Sequence, residues 1–459
     1  MTDIDPRTQR KHRAEPIISV SGLRGVVGES LTPDVAARYA RALADTAPPG
    51  AIVVTRDGRA TGVMLASAIH AALMAVGRDV IDAGVAATPT TGVLVRQVNA
   101  AGGIQISASH NPAAYNGMKL FSAAGRVITA AAGQAVMDRY RQPSFDYVMH
   151  DAIGALTACA DTTSEHLRLV LATVDVEQIR RRQFHVQLDA NHGAGGLLGR
   201  ELLEALGCQV TLLGGEPDGR FEHEPEPAAE NLAGVLNGVR TAGADVGFCQ
   251  DPDADRLAVI DAGGRYLGEE YTLAMCVDHV LRRTPGPVVT NCSTSRMTAD
   301  LAAQYQVPFH RSAVGEANVV DSMVANDAVL GGEGNGGVID PRVGMVRDSF
   351  VGMALLLDAM AARQLPVSAL ADELPRYAIC KTKVSLPAER VQVGLAALER
   401  HFSTAQGDHL DGLRLDWPDK WLLVRASNTE PIVRIIAEAA TDDDARRLCD
   451  EAGRVLGGV

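Results

Sequence analysis

The stretch Ser107-Ala108-Ser109-His110-Asn111-Pro112 decides the predicted fold. It directly follows the apolar run 101–106, which two glycines soften and which predicts a buried strand. Asn111-Pro112 indicates a tight turn, since proline keeps the residue before it out of the helical region. We therefore expect Ser109 to expose its hydroxyl at the carboxyl end of a strand, where open α/β sheets place their sites. A plain capped turn is the alternative.

Helical and strand-like segments alternate on both sides of this loop, which indicates a mainly parallel sheet with crossover helices. The periodicity weakens near 146–163, and the pattern restarts with a strand at 185–188. A chain of 459 residues is too long for one core. The predicted units are a disordered tail (1–15) and four domains (16–160, 161–267, 268–372 and 373–459).

The second informative stretch is Cys249–Arg256, with three aspartates at alternate positions. Pro252 argues against a helix, and alternate side chains of an extended loop point the same way. Asp251, Asp253 and Asp255 then crowd together, and their repulsion is costly unless a cation lies among them. Oxygen-only ligands suit a hard ion such as Mg²⁺.

This triplet has three other interpretations. An EF-hand is excluded, because its sixth position needs glycine and holds Arg256, and its twelfth needs glutamate and holds Ala262. A phosphatase with an aspartyl nucleophile also uses alternate aspartates, and a solvated acidic loop needs no ligand. Both stay open on the residues alone.

Two later loops offer ligand-binding chemistry. Gly331–Gly337 is glycine-rich and carries Glu333 and Asn335, which can bind hydroxyls. Between two predicted strands, Arg425–Pro431 combines loop amides, hydroxyls and a guanidinium, as an anion site does. An ordinary turn is the alternative in both cases. The candidate ligands of the second loop and the following strand are Arg425, Ser427, Asn428, Thr429 and Arg434.

These four motifs, with Asn116-Gly117-Met118-Lys119 after the first, resemble those of the α-D-phosphohexomutases. The resemblance implies three similar mixed α/β domains and a smaller divergent α+β C-terminal domain around a central cleft. It also implies that Ser109 carries a phosphoryl group that ligates Mg²⁺ together with the three aspartates. Glu333 and Asn335 would bind the sugar and the last loop the distal phosphate. The catalytic candidates are Ser109, His110, Lys119, Arg24 and Arg256.

The family interconverts hexose 6-phosphates and 1-phosphates through a phosphoserine enzyme and a sugar bisphosphate. The sugar loop departs from the usual Glu-x-Ser-Gly-His, since Asn335 replaces the serine and Gly337 the histidine. His110 and Lys119 then remain for proton transfer or positioning, and Arg347-Asp348 also stands near enough in sequence to reach the site. The serine loop is most similar to that of phosphoglucosamine mutases. Glucosamine phosphate is therefore the first expected substrate, and mannose or glucose phosphate the second.

Composition excludes several classes of function. The net charge is −13 and aromatic residues are 4% of the chain, which argues against nucleic-acid and anionic-membrane partners. No apolar run reaches the length of a membrane span or signal peptide. The seven scattered cysteines indicate a reducing, cytoplasmic location. Oligomeric state is not encoded in any of these patterns.

Other enzyme classes fit poorly. Ser109 lacks the flanking glycines of a nucleophile elbow, and adjacent side chains of an extended loop diverge, which argues against a serine hydrolase. There is no phosphate-binding P-loop motif, and two glycine-rich stretches fail the context of a dinucleotide fingerprint. A metal-dependent sugar phosphatase remains the alternative of a different class, and a non-enzymatic sugar-phosphate binder would not need Ser109.

Overall fold

The computed structural model describes residues 15–19, 22–426 and 432–458. The predicted disordered tail 1–15 lies outside the described residues except for its last position. The described strands form four sheets, and each sheet uses one consecutive stretch of the chain. No described helix has both the length and the apolar character that a membrane span requires.

The first unit is built on a seven-stranded sheet. Its elements are β1 (Ile17–Ser19), β2 (Gly22–Val26), α1 (Pro33–Thr46), β3 (Ile52–Arg56), α2 (Gly62–Met74), β4 (Val80–Val85), α3 (Thr88–Gln97), β5 (Gly102–Ile106), β6 (Tyr115–Ser122), α4 (Ala130–Arg141) and β7 (Leu156–Ala158). The strand order is β1-β2-β6-β5-β3-β4-β7. As the sequence predicts, Thr32 caps α1 by accepting the backbone N–H of Val35, and Pro33 opens the first turn.

The second and third units each contain a four-stranded sheet. The second comprises α5 (Ser164–Leu171), α6 (Val176–Arg180), β8 (His185–Asp189), α7 (Gly196–Ala205), β9 (Gln209–Leu213), α8 (Ala233–Ala242), β10 (Val246–Gln250) and β11 (Leu257–Asp261). The third comprises α9 (Glu269–Arg283), β12 (Val288–Asn291), α10 (Met297–Gln304), β13 (Phe309–Ser312), α11 (Glu316–Ala325), β14 (Leu330–Glu333), β15 (Gly337–Ile339), α12 (Ser349–Arg363) and α13 (Val367–Asp372).

One strand arrangement recurs in these three units: β6-β5-β3-β4, β11-β10-β8-β9 and β15-β14-β12-β13. In each, the first three strands in chain order are parallel and the fourth is antiparallel. The expected mixed, mainly parallel arrangement is thus confirmed for these strands, and only the last strand of each runs antiparallel. Its connection is too short for a parallel crossover, which needs about a dozen residues or more. The predicted similarity of the three units is confirmed.

The fourth unit is a five-stranded antiparallel sheet covered by two helices. Its elements are β16 (Ala378–Ser385), α14 (Ala388–His401), β17 (Gln406–Asp408), β18 (Leu413–Asp416), β19 (Trp421–Ala426), β20 (Ile432–Ala439) and α15 (Asp442–Gly457). Thr441 caps α15, and three aspartates fill its first turn, where the helix dipole favours them. The predicted smaller α+β C-terminal domain is confirmed.

Helix α12 joins the second and third units. It is buried along nearly its whole length, packs against α9 and also contacts α5, α6 and α7. The two units therefore share one hydrophobic core. This core crosses the predicted domain limit after residue 267. The domain limits after residues 160, 267 and 372 stay predictions.

Candidate active site

The three α/β units have their candidate residues at the same place. This place is the connection between the last two strands of the recurring four-stranded arrangement. Ser109 lies between β5 and β6, and the aspartate triplet lies between β10 and β11. Glu333 ends β14, just before the turn into β15. Sites that are far apart in the sequence thus share one position in a repeated sheet.

A buried scaffold that the sequence did not reveal holds the serine loop. Ser107 Oγ donates to Asp57 Oδ2 at 2.6 Å and accepts the backbone N–H of Ser109 at 2.9 Å. Arg59 donates to the carbonyls of Ser109 and Asn111 at 2.7 and 2.6 Å. Asp57 and Arg59 follow β3, the parallel neighbour of β5. Their place at the end of an adjacent strand is the signal that could have identified them.

Ser109 is buried, with 1% of its surface exposed, so the expectation of an exposed hydroxyl is wrong. Its Oγ donates to Asp251 Oδ2 at 2.7 Å and lies 3.3 Å from His110 Nδ1. The expectation that adjacent side chains diverge is also wrong, because Ser109 has a φ of 51° rather than an extended backbone. The opposite ring nitrogen of His110, Nε2, lies 3.1 Å from Glu226 Oε2.

Two guanidinium groups surround His110. Arg24 donates to Asn111 Oδ1 at 3.2 Å, and Arg256 donates to Glu226 Oε1 at 3.0 Å. Burial, followed by the charges of Arg256 and Arg24, lowers the pKa of His110 to about 2. The imidazole is therefore neutral near pH 7, and one of its nitrogens can accept a proton.

Asp251, Asp253 and Asp255 form what we call the anionic centre. The expectation of an extended loop is wrong here, because the chain turns: Ala254 has a φ of 54°, and its N–H donates to the carbonyl of Asp251. The backbone N–H of Arg256 donates to Asp251 Oδ1 at 3.1 Å. The turn still brings one oxygen of each carboxylate within 4.8 Å of the others.

The neighbours of the anionic centre compensate only part of its charge. Asp253 Oδ2 accepts from Thr88 at 2.6 Å and from Lys119 at 3.2 Å. Asp255 Oδ2 accepts from Lys119 at 2.7 Å and from Arg347 at 2.6 Å. Among the described residues, Oδ1 of Asp253 and of Asp255 has no hydrogen-bond donor, although both atoms are buried. A divalent cation would satisfy them.

The electrostatics agree with a cation site. Burial, then the charges of Asp253 and Asp255, raises the pKa of Asp251 well above its ordinary value. Burial lowers the pKa of Lys119, but the charges of Asp253 and Asp255 raise it by more. The pKa therefore lies above its ordinary value, and the ammonium keeps its proton. Buried oxygen ligands alone suit Mg²⁺. The residues present therefore fit the predicted ion.

Arg347 connects the anionic centre to the sugar loop. Its guanidinium donates to Asp255 Oδ2 and to Glu333 Oε2, each at 2.6 Å. Asp348, the other half of the predicted pair, instead caps α12 and contacts His166 Nε2 at 2.7 Å. Only Arg347 therefore reaches the site directly.

Beyond Glu333 a cavity of about 540 Å³ opens between the third and fourth units. The charged and polar side chains that line it are Glu270, Asn291, Ser293, Glu333, Asn335, Lys381, Thr382, Lys383, Arg425 and Arg434. Lys383 pairs with Arg434 across β16 and β20, and Arg434 pairs with Arg425 across β20 and β19. We call these three residues the cationic row. Asp411 Oδ2 lies 3.0 Å from Arg425 Nε, whereas like charges directly opposite one another, as at Lys383 and Arg434, are destabilising without an anion.

The structure thus places Arg425 and Arg434 in one cavity with Glu333 and Asn335, as the sequence predicts. Ser427, Asn428 and Thr429 lie outside the described residues. Lys381 and Lys383 were missed, although two lysines at alternate positions of a strand lie on one face and were a usable signal. Glu270, at the start of α9, gave no signal in the sequence.

Family models cover most of the chain in order. The three α/β/α domains of the phosphoglucomutase/phosphomannomutase family match residues 16–146, 164–264 and 269–377, and its C-terminal domain matches residues 383–454. The chain belongs to this family, the α-D-phosphohexomutases, and is an intramolecular phosphotransferase.

Two relatives and one solved structure match this chain over nearly its whole length. The chain is 36% identical over 445 residues to a phosphoglucomutase/phosphomannomutase of Thermococcus kodakarensis, covering 95% of this chain and 97% of that protein. It is 33% identical over 441 residues to a probable phosphoglucosamine mutase of the same organism, with coverage of 95% and 97%. A phosphoglucomutase/phosphomannomutase family protein from Burkholderia thailandensis has a TM-score of 0.84 at 28% identity, covering 96% of this chain and 98% of that one.

Proposed function

We propose that this protein interconverts glucosamine 6-phosphate and glucosamine 1-phosphate through phosphorylated Ser109 and a sugar bisphosphate. One observation carries the proposal: Ser109 Oγ lies 2.7 Å from a carboxylate of the anionic centre. A phosphoryl group on that oxygen would lie beside the cation that those carboxylates hold. The row of cations across the cavity supplies a place for the other phosphate.

The transfer moves one phosphoryl group and one proton. The P–O bond to Ser109 breaks as a bond from phosphorus to a sugar hydroxyl oxygen forms, and the hydroxyl proton ends on Ser109 Oγ. His110 Nδ1 lies 3.3 Å from that oxygen, and its Nε2 faces Glu226 at 3.1 Å. Nε2–H donates to Glu226, and the lone pair on Nδ1 faces Ser109 Oγ. The negative charge of the phosphoryl group would raise the pKa that burial and the two arginines lower, so that Nδ1 can carry the proton between the two oxygens. The return step runs the same way from the other end of the sugar.

Charges around the transferring group have separate tasks. Mg²⁺ held by Asp251, Asp253 and Asp255 would withdraw charge from the phosphoryl oxygens as a Lewis acid. Lys119 keeps its proton and orients Asp253 and Asp255. Arg24 and Arg256 are cations beside His110 and face the developing charge. Water must be excluded, because it would hydrolyse the phosphoserine.

The preference for glucosamine rests on a carboxylate of the cavity. Glu333 lines the same cavity as the cations, so an ammonium group and a phosphate each have a counter-charge. The relative named probable phosphoglucosamine mutase supports this substrate. The phosphoglucomutase/phosphomannomutase relative supports the second candidate, glucose or mannose phosphate.

Seven free thiols support a cytoplasmic location.

The test compares the 6-phosphates of glucosamine, glucose and mannose by phosphorus NMR with Mg²⁺ and a trace of the matching bisphosphate. We expect 1-phosphate to appear without inorganic phosphate, and kcat/KM to be highest for glucosamine. Higher kcat/KM for glucose or mannose phosphate would establish the second candidate. Release of inorganic phosphate as the main product would instead identify a phosphatase.

A further inference from the structure

A second cluster of metal-ligating side chains lies beside the anionic centre, and the proposed reaction does not use it. Asp189 ends β8, and Cys249 is its register partner on the parallel strand β10. His223 reaches them from the loop 214–232. Each side chain offers one ligand atom, and these atoms lie within 4.8 Å of one another.

Both other side chains of the cluster contact Asp189 Oδ2. It lies 2.8 Å from His223 Nε2 and 3.1 Å from Cys249 Sγ. The other oxygen, Oδ1, accepts the backbone N–H of Asn191 at 3.0 Å, which fixes the carboxylate orientation. The cluster is enclosed: the side chain of Asp189 is 4% exposed, and Cys249 is 0% exposed.

The outer hydrogen bond of His223 indicates what the cluster can bind. His223 Nδ1 donates to the carbonyl of Glu224 at 2.8 Å. A histidine that ligates a metal has this arrangement, because the outer bond fixes the tautomer and directs the other nitrogen lone pair at the ion. In that tautomer Nε2 and Asp189 Oδ2 are both acceptors, so a second proton or a cation must lie between them.

We propose that Asp189, His223 and Cys249 bind a divalent cation of the Zn²⁺ class. Thiolate, imidazole and carboxylate are the ligands that Zn²⁺ takes in proteins, whereas Mg²⁺ prefers oxygen alone. On binding, the thiol of Cys249 gives its proton to solvent. The side chain of His223 is 14% exposed and gives the ion a route from the surface. Three protein ligands leave one position open to water.

The site would act on the catalytic loop through one short connection. Glu226 lies three residues after His223 and contacts both His110 and Arg256, at 3.1 and 3.0 Å. A cation on His223 tethers this loop to the sheet at β8 and β10. The bound ion therefore fixes Glu226, and through it the orientation of His110 beside Ser109.

The experiment titrates the full chain with Zn²⁺ by calorimetry, and with Co²⁺ by absorption, in saturating Mg²⁺. Mg²⁺ competes for the anionic centre, and the thiolate-to-cobalt band reports only an ion bound to a cysteine, which the anionic centre lacks. We expect one Zn²⁺ per chain and a thiolate-to-cobalt charge-transfer band. In Cys249→Ser and in His223→Gln, Zn²⁺ affinity should fall by more than about tenfold, the least that even a lost outer partner costs.

Cys276→Ser is the matched control, since Cys276 is another buried thiol, which contacts only the carbonyl of Gly352 among described hydrogen-bond partners. It should bind Zn²⁺ like the parent chain. Circular dichroism checks folding, and His223→Gln, at a less buried position, decides the question if Cys249→Ser does not fold. No Zn²⁺ beyond the Mg²⁺ site, or equal Zn²⁺ affinity in the parent and His223→Gln, would overturn the proposal.

Discussion

The anionic centre and the cationic row are built in opposite ways. Asp251, Asp253 and Asp255 are 0% exposed. Fixed donors from other segments hold them: Thr88, Lys119 and Arg347. The cationic row instead lies on an open sheet face, where Lys383 and Arg434 are exposed.

The difference in burial suits the two regions to different tasks in the proposed reaction. A buried charge has few ways to rearrange, so the anionic centre can hold one reacting phosphoryl group in one geometry. Exposed, flexible cations tolerate more than one ligand position, which suits a phosphate that arrives from either end of the sugar. Substitutions in the first region should therefore reduce kcat, and substitutions in the second should raise KM.

The largest effect is expected at the reacting oxygen. Ser109→Ala removes the group that receives the phosphoryl, and mutase activity should fall by at least about 10³-fold. A coupled assay with glucosamine 6-phosphate measures the loss. Ser67→Ala, which removes a hydroxyl bonded only to its own helix among the described residues, is the control and should keep full activity. A Ser109→Ala protein of normal activity would remove the serine from the reaction.

The next effect concerns the anionic centre alone. Asp253→Asn replaces a carboxylate whose Oδ1 is buried without a donor among the described residues. Mg²⁺ affinity, measured by calorimetry on the full chain, should fall by more than about tenfold. Arg434→Gln should leave Mg²⁺ affinity unchanged. Equal losses in both variants would show that the two regions are not separate.

The cationic row should show the complementary behaviour. Arg434→Gln removes the middle charge of the row, and a lost charge-assisted hydrogen bond costs about 1.5–3 kcal/mol. We expect KM to rise about 10- to 100-fold for both the 1- and the 6-phosphate, with little change in kcat. Because repulsion between neighbouring cations is relieved, the melting temperature should stay level or rise. A fall in kcat at constant KM would contradict the division of tasks.

The smallest effect is a pH dependence at the edge of the cavity. Burial raises the pKa of Glu270 to about 8, against the charge of Lys381, with Glu269 and Glu438 also facing it. The folded state then binds more protons than the unfolded state between pH 4.5 and about 8, so stability falls as pH rises through that window. Glu270→Gln should flatten this part of the profile, measured by urea unfolding. An unchanged slope would show that Glu270 does not titrate there.

Sequence patterns predicted well whatever depended on local chemistry. The helix cap at Thr32 was confirmed because a capping hydroxyl and the first turn lie within three residues. The carboxylates of the aspartate triplet lie close together, as expected. The stated cause was wrong, since a left-handed turn at Ala254 gathers the carboxylates rather than an extended loop.

Long-range contacts escaped prediction for a physical reason. Glu270 and Lys381 line the cavity beyond Glu333 only because the third and fourth units pack together, and no periodicity records that packing. Arg59 supports the serine loop through backbone carbonyls, which carry no side-chain signature. Patterns along the chain predicted the candidate reacting groups, whereas the groups that hold them in place required coordinates.

The central claim is that Ser109 carries the phosphoryl group beside the anionic centre. The most direct measurement is tandem mass spectrometry of the full chain after incubation with the sugar bisphosphate and Mg²⁺. The proposed mechanism predicts one phosphate per chain, on Ser109, which returns to the sugar when glucosamine 6-phosphate is added. An active enzyme that carries its phosphate on another residue, or carries none at any stage of turnover, would contradict it.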